Sequence, residues 1–150
     1  MKIRKLSPSE KPPVEVLLEA DPSRSRIESY LRKGSSYVAE LKEHVIGIYV
    51  LLPINQDTAE IINISVKKDI QGKGIGRKLI SHAMEQSRAQ GFAYLVVGTG
   101  NSSISQIAFY QKCGFRMKEI EEDYFLRHYE KPIYENGIQC RDMIRFSYIL

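Results

Sequence analysis

The sequence predicts a mixed α/β layer fold, because strand-like and helix-like segments alternate along it. β-Rich segments are separated at two places by helical patterns long enough to cross over a sheet. The 150 residues, of which 43% are hydrophobic and 27% charged, fit one globular domain over residues 1–150. All apolar runs are much shorter than a membrane-spanning helix requires, so we expect no membrane span.

The chain up to Val66 predicts one short strand, two helices and three further strands. The second helix carries Ser25 and Glu28 at capping-box spacing, and Gly34 stands where a helix end is expected. The polar tripeptide KEH separates two β-rich segments, which we therefore expect to form a hairpin. In chain order the segments are KIRKL, SEKPPVEVLLEAD, SRIESYLRKG, SYVAEL, VIGIYVLLP and EIINISV.

The remainder predicts two helices and three strands. An amphipathic helix from Gly76 to Gln90 is closed by Gly91, and a shorter helix is stopped by Gly114. After the first helix we expect, in order, the strand FAYLVVG, the turn TGNSS, the helix ISQIAFYQKC and the strand FRMKEIEEDYFL. The connection HYEKPIYENGIQ is expected to be irregular, and CRDMIRFSYI to form the last strand.

Charge and cysteine content narrow the functional classes. The net charge of +4 is scattered among acidic residues, which disfavours a nucleic-acid binder. The N-terminus MKIRKLSPSE lacks the apolar core of a secretory signal, so a cytoplasmic location is expected. Cys113 and Cys140 lie far apart, with no His or Cys at metal-ligand spacing, so we expect two free thiols and no metal site.

Three glycines, Gly72, Gly74 and Gly76, stand at every second position between a predicted strand and a predicted helix. Glycine costs about 0.5–1 kcal/mol relative to alanine in regular structure, so the cluster indicates a closely approaching ligand. Such a loop directs backbone N–H groups and a helix dipole at an anion, while Lys73 and Arg77 add charge. QGKGIGRK fits neither the Walker A pattern nor GxGxxG. A tight turn without a ligand is the alternative.

The stretch QGKGIG resembles the Q/R-x-x-G-x-G/A signature of the GCN5-related N-acetyltransferase (GNAT) family, in the same position between strand and helix. NSSISQIAFYQKCGF, from Asn101 to Phe115, is similar to the second signature of that family, in which an Asn ends a strand and Phe-Tyr precedes Gly-Phe. The resemblance covers essentially the whole chain. It implies the mixed α/β GNAT fold, a mostly antiparallel, splayed sheet of about seven strands flanked by about four helices.

The resemblance also implies acetyl-CoA as donor, an amine as acceptor and no metal. In the family, a strand end pairs through its backbone with the pantetheine arm, and the glycine loop holds the pyrophosphate. The matching residues of this sequence are Ile64, Ser65, Val66, Gln71, Gly72, Lys73, Gly74, Ile75, Gly76 and Arg77. Asn101 either contacts the coenzyme arm or caps the helix that follows it.

Tyr110 corresponds to the usual general acid of the family, which protonates the departing coenzyme A sulfur. Its position at the edge of the apolar stripe of its helix would let the hydroxyl reach a cleft. A core tyrosine whose hydroxyl is satisfied within the protein is the alternative.

Glu60 corresponds to the catalytic base of histone-acetylating family members. By strand alternation it shares a face with Ile62, Ile64 and Val66, where partial desolvation would raise its pKa toward a useful range. A solvated strand-end glutamate is the alternative, with the amine deprotonated through water held by polar groups such as Asn63.

The expected activity is acetyl transfer from acetyl-CoA to a primary amine by direct attack in a ternary complex. Polyamines, aminoglycosides, amino-acid amines and protein amines all stay open as acceptors. We expect a monomer or homodimer, with no nucleic-acid or membrane partner. The alternative from a different class is a non-catalytic module that binds or senses acyl-CoA.

Overall fold

A computed structural model describes all residues from 1 to 150 and contains nine strands and five α-helices. The strands are β1 (Lys2–Lys5), β2 (Ser35–Leu41), β3 (His44–Pro53), β4 (Thr58–Val66), β5 (Tyr94–Gly100), β6 (Arg116–Glu121), β7 (Tyr134–Glu135), β8 (Ile138–Gln139) and β9 (Met143–Ile149). The helices are α1 (Val14–Leu17), α2 (Arg24–Lys33), α3 (Ile75–Ala89), α4 (Ile104–Lys112) and α5 (Tyr124–His128), with a 3₁₀ turn at Lys68–Ile70.

Seven strands form one sheet in the order β1-β2-β3-β4-β5-β9-β6, and β7 pairs only with β8. All neighbours in the large sheet are antiparallel except β4 and β5, which are parallel and joined through α3. The mixed, mostly antiparallel sheet predicted from the sequence is therefore confirmed. None of the five helices combines the length and apolarity needed to cross a membrane.

Two apolar clusters pack on opposite faces of the sheet. The larger contains Leu79 and Ile80 of α3 and Tyr110 of α4. The smaller contains Leu17 of α1 and Ile27 of α2. Strand β3 supplies alternate residues to the two clusters, as its period of two requires: Tyr49 and Leu51 to the larger, Ile48 and Val50 to the smaller.

The start of α2 differs from the prediction. Its N-cap is Ser23, whose hydroxyl accepts a hydrogen bond from the Arg26 backbone N–H at 3.3 Å, while Ser25 lies inside the first turn. The predicted capping box of Ser25 and Glu28 is therefore wrong, and the N-cap lies two residues before Ser25. Gly34 does follow the helix, but with φ −106°, an extended conformation that leads directly into β2.

The segment after β6 also differs. The predicted strand FRMKEIEEDYFL ends at Glu121, because Asp123 takes a left-handed φ of 58° and α5 begins at Tyr124. The connection predicted to be irregular contains the β7–β8 hairpin. Its two-residue turn is Asn136-Gly137, with φ values of 55° and 72°, which is the Asn-Gly signal of a tight hairpin.

Candidate active site

The parallel strands β4 and β5 separate part of the way along their length. Their pairing runs only from Thr58 opposite Tyr94 to Ile61 opposite Val97. The rest of β4 continues to pair with β3 as far as Val66, so its β5-facing backbone groups have no strand partner. The structure thus confirms a splayed sheet, with a gap that opens beyond Ile61.

A β-bulge in β4 lies where this gap begins. In the β3 register, Leu51 faces Ile61 and Val50 faces Asn63, so Ile62 is an extra residue without a partner. An extra residue reverses the alternation of all side chains that follow it along the strand.

The bulge corrects one sequence-based interpretation of Glu60. Ile62 packs against the smaller cluster beside α1 and α2, whereas Ile64 and Val66 pack against the larger one beside α3. Glu60 faces the α2 side with Ile62, so the expectation that it shares a face with Ile64 and Val66 is wrong. Simple alternation could not reveal this, because a bulge leaves no pattern in the residue types of β4.

The glycine loop joins β4 to α3 with two left-handed residues. Gly72 and Gly74 have φ values of 82° and 83°, and a Cβ on either would meet no atom within 4 Å. Glycine is favoured at these two positions by the left-handed backbone conformation, and not because a side chain would lack space. Gly74 is the N-cap of α3 and no side chain caps this helix, so its first N–H groups, from Ile75 onward, are available to an anion. The Lys73 side chain beside them is exposed.

The third glycine has a different structural reason. A Cβ on Gly76 would approach the Phe109 ring to 3.3 Å, so its absence lets α3 pack closely on α4. Arg77 strengthens the same contact, donating a hydrogen bond to the Lys112 backbone carbonyl at 3.1 Å. Helices α3 and α4 are therefore held together directly below the loop.

Two amides from the family signatures support the loops around the gap. Gln71 donates to the Val66 backbone carbonyl at 3.0 Å and so closes the loop on the end of β4. The Asn101 carbonyl oxygen accepts from the backbone N–H groups of Arg141 and Asp142 at 2.8 and 3.0 Å, and its amide donates to the Gln139 carbonyl. The interpretation of Asn101 as a helix cap is wrong, since the N-cap of α4 is Ser103. The Asn101 side-chain amide has two hydrogens and donates one of them to Gln139, so the second is left for a ligand.

Ser65 lies on the unpaired part of β4, with 4% of its surface exposed. Its hydroxyl donates to the Asn63 side chain at 2.6 Å, and Asn63 in turn donates to the Tyr30 hydroxyl at 2.8 Å. The Tyr30 and Tyr129 hydroxyls donate to Asp21 at 3.2 and 2.9 Å. This buried chain of hydrogen bonds links the open edge of β4 to α2 and to the end of α5.

Tyr110 lies on α4 with 4% of its surface exposed. Its ring contacts Phe146, at 5.6 Å between centroids, and Phe146 pairs with Val97, where β4–β5 pairing ends. The hydroxyl makes no hydrogen bond within the chain, yet it is not among the fully enclosed unpaired atoms. Burial raises the pKa of Tyr110, so the phenol is protonated at neutral pH. The ring belongs to the core, but the hydroxyl is not satisfied there.

Glu60 lies on β4 before the bulge, with 12% of its side chain exposed. Burial raises the pKa of this carboxyl, and the charges of Arg145 and Arg26 oppose the shift. The nearer charge is Arg145, whose guanidinium lies 3.5 Å from the carboxylate. The solvated alternative for Glu60 therefore does not describe this side chain.

Sequence reasoning missed Arg26, Tyr124 and Arg145, which lie around Glu60. The Tyr124 ring on α5 lies 5.6 Å from the Arg26 guanidinium and 5.7 Å from that of Arg145. The His128 ring lies 4.3 Å from it, tilted by 42°. Arg145 could have been noticed as the one charge within the apolar strand MIRFSYI. Arg26 has no comparable signal, because it occupies an ordinary polar position of an amphipathic helix.

Gly98 and Gly100 of β5 are explained by packing against neighbouring side chains. A Cβ on Gly98 would meet the Met143 sulfur at 2.6 Å, and one on Gly100 would overlap the Cys140 sulfur. Both glycines therefore accommodate neighbouring side chains.

Cys113 and Cys140 are free thiols, and no three His, Cys, Asp or Glu side chains come together as a metal site would require.

Comparisons with known proteins agree with this geometry. Residues 3–115 match the model of the "Acetyltransferase (GNAT) family". An uncharacterised N-acetyltransferase of Bacillus subtilis, YvbK, is 49% identical over 131 residues, which are 87% of this chain and 84% of that protein.

Two solved structures are similar over nearly their whole lengths. A GNAT family acetyltransferase from Elizabethkingia anophelis with acetyl-CoA bound has a TM-score of 0.98 at 40% identity, covering 99% of this chain and 97% of its own. A Bacillus cereus protein described as an IAA acetyltransferase has a TM-score of 0.95 at 52% identity, covering 99% of both chains. The chain therefore belongs to the GNAT family of acetyltransferases and is an acetyl-CoA-dependent acyltransferase.

Proposed function

We propose that the protein moves the acetyl group of acetyl-CoA directly to a primary amine within one ternary complex. The observation that carries this proposal is the gap between β4 and β5, with Glu60 on one face of the sheet and Tyr110 packed on the other. A thioester in this gap would be open to an amine from the α2 side and to a proton donor from the α4 side.

On the donor side, the unpaired backbone of β4 from Ile64 to Val66 would bind the pantetheine arm as an added strand binds a sheet edge. The pyrophosphate would lie on the loop from Gln71 to Arg77, against the uncapped N-terminus of α3. Lys73 is an exposed cation within this loop, where its charge would favour the pyrophosphate oxygens. We assign Gly76 and the Arg77 side chain mainly to the contact between α3 and α4. The backbone N–H groups of both residues would face the pyrophosphate.

In the chemical step, Glu60 would accept a proton from the attacking amine, either directly or through one water. The nitrogen attacks the thioester carbon, and free N–H groups of β4 in the gap are the donors available to the oxyanion. The carbon–sulfur bond then breaks, and the Tyr110 hydroxyl would donate its proton to the thiolate. Glu60 then releases the proton it took from the amine to water, and water reprotonates Tyr110, so both groups return to their starting states.

Direct attack is favoured over a covalent acetyl-enzyme because neither cysteine is suited to act as nucleophile. Burial raises the pKa of both the Cys113 and the Cys140 thiol, which keeps them protonated at neutral pH. Initial-rate kinetics that vary both substrates should therefore give intersecting double-reciprocal lines. Parallel lines, or an acetylated protein isolated without acceptor, would contradict direct attack.

The acceptor is best found with a panel of amines assayed for thiol release from acetyl-CoA. Polyamines, aminoglycosides, amino-acid amides and peptides with free N-termini cover the candidate classes, and IAA is added because of the Bacillus cereus relative. We expect one class to release thiol with saturation and to gain one acetyl group by mass spectrometry. Tight acetyl-CoA binding without thiol release in any reaction would instead support a non-catalytic sensing role.

A further inference from the structure

Arg26, in the first turn of α2, carries a charge that no carboxylate of the chain neutralises at contact distance. It takes part in none of the ion pairs, whereas Arg145 is paired with three glutamates. A guanidinium keeps its proton in a protein, so the half-buried Arg26 side chain stays cationic. The fold therefore holds a cation near Glu60 without an anion of its own to meet it.

Most of the hydrogen-bonding capacity of the Arg26 guanidinium is unused. Of its five N–H donors, one on Nη2 makes a hydrogen bond, to the Tyr124 hydroxyl. Nε is enclosed and has no partner. Nη1 also has no partner, but it is not among the fully enclosed unpaired atoms, so a ligand can reach it. Unpaired donors on a half-buried group cost free energy, so their presence here indicates a ligand that pairs with them.

Two aromatic rings hold the guanidinium in place without neutralising it. Its central carbon lies 5.6 Å from the Tyr124 ring centroid and 5.4 Å from that of Tyr129. Rings at this distance attract a cation and leave its N–H groups free to pair in the plane of the guanidinium. A fork fixed in this way suits a carboxylate, which it can bind through two parallel hydrogen bonds.

The carboxylate of Asp21 does not act as this partner. Its oxygens accept hydrogen bonds from the hydroxyls of Tyr30 and Tyr129 and from the Ser23 backbone N–H. Asp21 acts on Arg26 through its charge but makes no ion pair with it. No carboxylate of the chain therefore pairs with Nη1.

This cation lies close to the proposed base. The Tyr124 ring is a common neighbour of the Arg26 and Arg145 guanidiniums, and Arg145 lies 3.5 Å from the Glu60 carboxylate. Arg26 is itself close enough for its charge to lower the pKa of Glu60. A small acceptor bound here can therefore place an amine at Glu60 and an anionic group at Arg26 at the same time.

We propose that Arg26 binds a carboxylate of the acceptor, which makes the acceptor a small amine that bears a carboxylate, such as a free amino acid. This inference rests on the proposed acetylation of an amine at Glu60 and narrows the choice of that amine. Polyamines and aminoglycosides carry several positive charges, which the guanidiniums of Arg26 and Arg145 would repel. A carboxylate instead gains charge-assisted hydrogen bonds from Arg26.

Amino acids and their C-terminal amides, compared in pairs, test the proposal because each pair differs in the carboxylate. Thiol release from acetyl-CoA gives the acid-to-amide ratio of kcat/KM for each pair. Arg26→Gln should lower this ratio about 10–100-fold, the effect of losing a hydrogen bond between charged groups. Arg26→Lys keeps the charge but loses the fork, so it should lower the ratio by less. The amine pKa values of a pair are the same for every variant, so the change in the ratio reports on Arg26.

Arg24→Gln is the matched control, the loss of an equal charge from an exposed position of the same helix, and it should keep the wild-type ratio. Circular dichroism establishes that each variant is folded. An Arg26 that only joins α2 to Tyr124 would leave the ratio unchanged in Arg26→Gln and Arg26→Lys, and that result overturns the proposal.

Calorimetry on the protein saturated with CoA separates this inference from the proposed reaction, because CoA carries no acetyl group to transfer. The wild type and Arg24→Gln should bind the acid of a pair more tightly than the amide, and Arg26→Gln should lose that difference. This binding result without thiol release from acetyl-CoA would refute the reaction and support the carboxylate site. If no amino acid of the panel binds or reacts, or if the wild type binds amides as tightly as acids, the carboxylate site is overturned.

Discussion

The carboxylate of Glu60 lies 3.5 Å from the guanidinium of Arg145, on the face of the sheet that α2 covers. Glu60 is on β4 and Arg145 on β9, so the arginine side chain reaches across the intervening strand β5. Arg145 also lies 3.0 Å from Glu121 and 3.9 Å from Glu119, so it is shared among three carboxylates. Burial raises the pKa of Glu60 despite this cation, which sets the direction of the first three predictions.

Replacing Glu60 with Gln removes the proposed base but keeps the shape of the side chain. We expect turnover to fall by about 10²–10⁴-fold, the usual contribution of a general base. In the wild type, kcat/KM should rise as the pH rises through the raised pKa of Glu60, and this limb should be absent in the variant. Glu119→Gln, near the same arginine but exposed, is the control and should keep the limb. An unchanged profile in Glu60→Gln would assign the base to water or another group.

The same substitution tests the energetic cost of burying the carboxylate. A carboxyl whose pKa is higher in the folded than in the unfolded chain makes the free energy of unfolding fall as the pH rises between those two values. Gln does not titrate, so Glu60→Gln should unfold at the same or a higher temperature than wild type at pH 7. The difference should shrink below about pH 4, where the unfolded carboxyl is protonated too. A lower unfolding temperature at pH 7 would mean that the Arg145 contact outweighs burial.

Arg145→Gln removes a cation that lowers the pKa of Glu60. The acidic limb of the pH profile should therefore move to higher pH by about one unit, the lower end of the usual effect because Arg145 is partly exposed. Arg127→Gln is the control, since Arg127 also pairs with Glu121 but not with Glu60. A limb that stays in place in Arg145→Gln would show that Arg145 does not act on the titrating group.

Tyr110→Phe removes one hydroxyl from a ring that otherwise packs in the core. Because that hydroxyl has no partner in the chain, thermal stability should stay close to wild type while kcat falls about 10²–10⁴-fold. The loss should be smaller for an acyl donor whose leaving thiol has a lower pKa. Tyr37→Phe, an equally buried tyrosine under α3, should retain activity. Wild-type turnover of Tyr110→Phe with chemistry rate-limiting would make Tyr110 a packing residue only.

Gly74→Ala and Gly91→Ala form a matched pair for the donor site. Both glycines have left-handed φ values, 83° and 87°, and neither has an atom within 4 Å of an added Cβ. Each substitution should therefore reduce stability by a similar amount, about 1 kcal/mol. Only Gly74→Ala should weaken acetyl-CoA binding in calorimetry, because Gly74 caps α3 where the pyrophosphate is proposed to bind. Equal affinities in both variants would remove the coenzyme from this loop.

Local patterns in the sequence predicted most of the elements and the order in which they occur. The strand, glycine loop and amphipathic helix from Glu60 to Gln90 needed only a period-two run, three glycines and a 3.6-residue apolar repeat. The Asn136-Gly137 turn carries an equally local signal for the small hairpin. Such features are set by residues close together in the chain, so residue type alone is sufficient evidence for them.

The sequence by itself thus determined the mixed α/β fold, the family resemblance and the identity of Glu60, Tyr110 and the glycine loop as candidate residues. Only the tertiary structure decided which face of the sheet Glu60 occupies, because the bulge at Ile62 appears in the register with β3 and not in the composition of β4. Likewise, the raised pKa of Glu60 and its contact with Arg145 depend on burial and on two residues far apart in sequence. Desolvation and charge pairing act through space, and their strength is set only when the strands assemble.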